Sequence, residues 1–201
     1  MQNAVNDAQV PARLSLKEIT YSVSIGELRR RVDSPECQNI TALSRVLREA
    51  KSKGSSTKLR EDLNANGIIV PESHKRTDSS MFATLTEGEA VQLASDTRNA
   101  ITDHLPVEIL GDQMARSFPT ISADVFVQGI YLTDEIRSVC CGVDYPVMSY
   151  VPVTQPTNDI ERSLLVFSRV THGYGPMVFR TWLDAIQSIL QSATAARMRH
   201  V

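Results

Sequence analysis

Cysteine is scarce in this 201-residue chain: Cys37, Cys140 and Cys141 are the whole set. An odd, sparse trio builds no disulfide framework, and a reducing compartment is the simple reading. Cys37 stands alone and the vicinal pair lacks partners at zinc spacing, so no metal site is expected. Aromatic residues make up only 5%, which leaves the core to aliphatic side chains. No run approaches the roughly 18 apolar residues of a membrane span, and Met1–Asp7 lacks the basic and apolar regions of a secretory leader. Catalytic signatures are missing too. The chain has no G-x-S-x-G elbow, no G-x-x-x-x-G-K-[ST] loop and no H-E-x-x-H. Ser55-Ser56-Thr57-Lys58 fits S-x-x-K without the motifs that accompany it in enzymes. His172-Gly173-Tyr174-Gly175 reads as a glycine-permitted turn, because no nucleophile comes with it. No enzyme activity and no cofactor are expected.

What is present is a globular composition with an uneven charge. A hydrophobic fraction of 42% with 22% charged residues argues against global disorder. The chain nets −2, but residues 13–76 carry 13 bases against 8 acids, while residues 77–201 carry 8 bases, all Arg, against 14 acids. Every lysine precedes residue 77. A basic half joined to an acidic half suggests a polyanion-binding segment on a scaffold that need not touch the polyanion; a merely solvated basic surface is the alternative.

Helix signals dominate. Residues 1–12 read as a loose, disordered N-terminus. Ser24 and Glu27 form a capping box opening a short helix with Ile25, Leu28 and Val32 on one face. The pattern then predicts a helix from about Asn39 to Lys53, with Ile40, Leu43, Val46, Leu47 and Ala50 on one stripe. Arg45 and Arg48 lie one turn apart on the opposite face, free to point outward. Gly54-Ser55-Ser56 reads as a basic loop and Thr57 as the cap of a third helix, which Gly67 stops. Thr86 and Glu89 form a second capping box. Helices follow over about 107–118, 122–141 and from Asn158, and the last starts near Met177. No run of alternating strands is evident.

The basic stretch suits DNA. An Arg fork can bond two acceptors of a guanine edge or a phosphate, and a mobile lysine loop offers charges to the backbone. Several segments then resemble the activator-protein-2 (AP-2) transcription factors. They are Arg13-Leu14-Ser15-Leu16, Arg30-Arg31 with Pro35-Glu36-Cys37 and Asn39, and Val46-Leu47-Arg48-Glu49-Ala50-Lys51-Ser52-Lys53. Leu59-Arg60-Glu61, Glu87-Gly88-Glu89-Ala90-Val91 and His172-Gly173-Tyr174-Gly175 continue the series in the same order.

The resemblance implies a mainly α fold: a basic DNA-binding region over residues 13–77 and a helix-span-helix dimerisation domain over 78–201. It implies a nuclear homodimer, or a heterodimer with a relative, that reads GC-rich palindromic double-stranded DNA and regulates RNA polymerase II transcription. Carried over by position, the DNA-contact candidates are Arg13, Arg30, Arg31, Arg48, Lys51, Lys53, Arg60, Lys75 and Arg76, with Arg45 added from its place on the helix. Apolar helix positions Leu93, Ile101, Ile130, Leu164, Trp182, Ile186 and Leu190 are the dimerisation candidates. Three departures stand out. Glu49 replaces a second Arg, the Gly54-Ser55-Ser56 loop has lost glycines, and the Pro/Gln-rich activation segment expected upstream is not in this sequence. Glu49 in the reading surface gives weight to an alternative in which an AP-2-like dimerisation module regulates a related factor without strong DNA binding of its own.

Overall fold

The computed structural model describes residues 7–14, 18–49, 52–71, 80–141 and 156–199. It is mainly helical. Two short strands, β1 (Ala8–Pro11) and β2 (Thr20–Val23), precede α1 (Ile25–Val32), α2 (Ile40–Val46) and α3 (Ser55–Ala65). A 3-10 turn at Met81–Thr84 leads into α4 (Glu87–His104). Then come α5 (Val107–Ser117), α6 (Ala123–Cys141), α7 (Asp159–Val170) and α8 (Tyr174–Arg199). Packing divides the chain into two units, Met1–Leu93 with Tyr145–Gly175 and Ala94–Asp144 with Pro176–Val201. The division expected near residue 77 falls outside the described residues.

The first unit has an aliphatic core of its own. Val10, Val23, Leu28, Ile40, Leu43, Leu59, Leu63, Ile68 and Val70 form one buried cluster without an aromatic. The strand pair departs from the expectation of a loose N-terminus at Ala8–Pro11, while residues 1–6 of that segment lie outside the described residues. β1 and β2 pair antiparallel with Ala8 opposite Val23 and Val10 opposite Tyr21. Val10 is fully buried, so the strand is held by the core. Two four-residue strands are too short to show alternation in a sequence.

Side-chain caps open four of the eight described α-helices. Ser24 accepts the Glu27 amide, Asn39 the Ala42 amide and Asn158 the Glu161 amide. Thr86 and Glu89 form a reciprocal box, with each amide bonded to the other's side chain. α3 departs from expectation: it starts at Ser55 after Gly54 at φ 88, not at a Thr57 cap. α8 starts at Tyr174, so Pro176 lies in its first turn, where its missing N–H costs no helical bond.

The predicted helix from Asn39 to Lys53 stops seven residues early. α2 ends in a Schellman motif: the Arg48 amide bonds the Arg45 carbonyl and the Glu49 amide bonds the Ser44 carbonyl. Arg48 occupies the left-handed position at φ 53, a seat usually given to glycine, as Gly67 takes it after α3 at φ 71. Nothing in the local sequence marks Arg48 for that role.

The second unit packs through small residues. Ala115, Ala193 and Ala196 are buried. A Cβ on Gly111 would collide with Ser192, so glycine there lets α5 and α8 approach. Arg197 donates to the carbonyls of Ala115 and Phe118 at the end of α5. Arg137 of α6 reaches Asp184 and Gln187 of α8, both at 2.8 Å. Among the described residues no helix is long and apolar enough to cross a membrane.

Candidate nucleic-acid interface

The basic residues of the first unit fall into two groups. The first group is turned inward. Arg31 is 1% exposed and donates to the Glu27 carboxylate at 2.7 and 3.0 Å. It also donates to the Ala83 carbonyl at 3.3 Å and to the Leu85 carbonyl, and it lies 3.3 Å from His172 Nε2. Arg30 makes a fork on Glu87 at 2.6 and 2.7 Å. Arg48 holds Glu89 through Nη2 at 2.7 and 2.8 Å. Arg48 therefore does not stand on the outer face of a helix beside Arg45. The early end of α2 and the left-handed turn send it towards the start of α4.

The second group faces solvent. Arg45 sits exposed in the last turn of α2, and its side chain bonds nothing among the described residues. Lys53 is exposed just before α3. Arg13 is exposed, with its guanidinium on the Arg45 carbonyl at 2.9 Å. Arg60 is half-buried and bonds the Val70 carbonyl at 3.0 Å. Within residues 13–76, sequence reasoning passed over two further described and exposed cations, Arg29 and Lys58. Lys51, Lys75 and Arg76 lie outside the described residues. Among the described residues no three His, Cys, Asp or Glu side chains converge as a metal site.

Of the expected dimerisation residues, Leu93 and Leu164 belong to the first unit; Ile101, Ile130, Trp182, Ile186 and Leu190 belong to the second. Trp182 and Ile186 are 46% and 44% exposed, one helical turn apart on α8, with Phe179 continuing the stripe. The other five are half-buried.

Around Arg31 the first unit encloses a polar cluster. Burial pushes the Glu27 carboxyl up despite the opposing pull of Arg31. Burial pushes Glu36 up to about 7, against Arg31 and helped by Glu87 and Glu27. Burial and the neighbouring Arg31 push His172 down to about 3, so the ring is neutral near pH 7. The 3.3 Å approach of Glu36 to His172 Nε2 is then a contact between a carboxyl that favours its proton and a neutral ring, not an ion pair. His172 reaches this place because its backbone takes the left-handed seat after α7, at φ 51.

These shifts have opposite signs. Glu36, held protonated in the fold, contributes most below its ordinary 4.5 and loses that contribution as pH rises to about 7. His172, held neutral, contributes fully above 6.5 and loses it as pH falls towards about 3. Between about 4.5 and 6.5 the two slopes offset one another. Glu36→Gln keeps the neutral form at every pH. It is expected to stabilise the protein at pH 8 by about 2–3 kcal/mol, with the gain fading towards pH 4.5. Urea unfolding of both proteins at several pH values checks this; a difference that stays constant with pH contradicts it.

The sequence model of the family Transcription factor AP-2 matches residues 8–193. The chain belongs to the AP-2 family. It is 32% identical over 189 residues to Transcription factor AP-2-delta of Homo sapiens, covering 90% of this chain and 42% of that protein. It is 33% identical over 191 residues to AP-2-epsilon of Danio rerio, covering 92% and 45%. With AP-2 gamma of Mus musculus it shares 29% over 196 residues, covering 93% and 44%. The chain spans less than half the length of these relatives. The AP-2 family is one of transcription factors, not of enzymes. In the inward set Arg30 pairs with Glu87, Arg31 with Glu27 and Arg48 with Glu89.

Proposed function

We propose that this AP-2 domain acts in the nucleus as a dimer that binds GC-rich palindromic double-stranded DNA and regulates RNA polymerase II transcription. The observation that carries the reading is the outward set of cations, Arg13, Arg45 and Lys53, on a unit in which Arg30, Arg31 and Arg48 are internally neutralised. A surface kept free of carboxylate partners is available to phosphates. Arg13, Arg45, Lys53 and Arg60, with Lys51, Lys75 and Arg76, are the proposed contact set. Arg31 serves by holding the scaffold, since a 1% exposed guanidinium reaches no duplex without unpacking its surroundings, and Arg30 is held on Glu87.

Two-fold symmetry matches a palindrome, and the Phe179, Trp182 and Ile186 stripe is the proposed seat of the partner copy. Sedimentation at micromolar concentration is expected to give a dimer. Trp182→Glu is expected to raise its dissociation constant roughly 30-fold or more, as for an interface hot spot. A wild-type monomer at that concentration contradicts the proposal. Stoichiometric titration of a duplex carrying GCC and GGC half-sites tests the whole reading: two chains per duplex are expected.

A second reading has a specific observation in its favour. Arg30, Arg31 and Arg48 are already paired with carboxylates, and Glu49 is exposed next to Arg48. An interaction module that pairs with a related factor would bind that factor but not the duplex.

A further inference from the structure

Arg48 and Glu89 form an unequal pair. Glu89 is saturated: it accepts the Thr86 amide at 2.9 Å, the Thr86 hydroxyl at 3.3 Å, the Arg13 amide and Arg48. Burial alone would raise its carboxyl, but the hydrogen bonds from Thr86, Arg13 and Arg48 outweigh it and hold it below the usual range. Arg48 is half-used. Among the described residues only Nη2 is bonded, while Nε and Nη1 are buried without an acceptor. A guanidinium presents five donors in a planar fork, and buried donors without acceptors are rare in a native protein. The backbone that holds it there is in the left-handed region, at φ 53.

The asymmetry decides which partner gains by separation. If Arg48 leaves, Glu89 keeps two backbone amides and a hydroxyl. Arg48 can then engage a bidentate acceptor with the donors that now bond nothing. The guanine edge, with N7 and O6 side by side, has that shape.

We infer that Glu89 is a resident competitor for Arg48, and that DNA binding exchanges this carboxylate for a guanine edge, so that Glu89 sets the threshold for sequence-specific binding. The inference rests on the DNA-binding reading above. Glu89 is a positioning residue in this account and never touches the duplex.

Glu89→Gln separates the competing role from the structural one. Gln at this helix position is itself a capping-box residue, so the start of α4 is kept while the negative charge that holds Arg48 is removed. Glu89→Gln is expected to tighten binding to the palindromic duplex about tenfold, with a much smaller change on a scrambled duplex. In an Arg48→Ala background it is expected to change nothing, because no guanidinium remains to release. Loss of affinity, or an equal effect in both backgrounds, overturns the inference. Equal tightening on both duplexes overturns the guanine assignment.

A measurement on the wild-type chain guards against a variant that fails to fold. The Arg48 side-chain nitrogen resonances, observed with labelled arginine, are expected to shift when the palindromic duplex saturates the protein. Unchanged resonances overturn the exchange. Arg45→Ala and Lys53→Ala report on the DNA reading itself. If they weaken binding while Glu89→Gln does not tighten it, the exchange falls and the reading stands. A wild-type chain that ignores the duplex ends both.

Discussion

Raising monovalent salt from 50 to 200 mM is expected to weaken duplex binding about 10⁴-fold. If a dimer neutralises roughly eight phosphates, log affinity falls against log salt with a slope near −7, because each neutralised phosphate releases condensed counterions. The outward cations supply this number only if both chains of a dimer contribute, so the slope also reports on the assembly. Lys53 is exposed and stands on the loop before α3. Lys53→Ala is expected to flatten the slope by about 2 per dimer and to weaken specific and random DNA alike. Arg31 variants that remain folded are expected to leave the slope unchanged, since that guanidinium is enclosed. A slope shallower than about −2 means that the basic half does not track DNA.

Replacing Arg31 is expected to destabilise the first unit by about 3–5 kcal/mol. The reason is the charge left behind rather than the bond lost. Glu27 is 2% exposed, and without Arg31 its carboxylate has no counter-charge in a site from which water is excluded. The carbonyls of Ala83 and Leu85 lose a donor at the same time. Arg31→Met with Glu27→Gln removes the stranded charge and is expected to recover a large part of the loss, as neutral replacement of buried pairs does. Urea unfolding of the single and double variants decides it. A single-variant cost below about 1 kcal/mol, or a double variant no better than the single, contradicts the account.

The parts of this fold legible in the sequence are those set by neighbours a few residues apart. Ser24, Asn39, Thr86 with Glu89, and Asn158 each act as caps, and Gly67 ends α3 in the left-handed conformation that glycine adopts without a Cβ penalty. The periodicity of α5 and α6 also placed them within a residue or two. What the sequence hides depends on partners far along the chain. Arg48 takes a glycine's seat and pairs with Glu89, 41 residues on. Glu27, expected to close a capping box, instead binds Arg31 and accepts the Glu87 amide at 3.1 Å. A basic residue in sequence is equally suited to a phosphate and to a buried carboxylate. Only the fold divides Arg31 from Arg45.

The most direct test of the central claim is an equilibrium competition between a duplex carrying GCC and GGC half-sites and a scrambled duplex of equal length and composition. The account predicts that the wild-type chain prefers the palindrome by at least about 10³-fold at physiological salt, and that Arg48→Ala narrows this ratio more than Lys53→Ala does. Equal affinity for the two duplexes, or no binding to either, would contradict it.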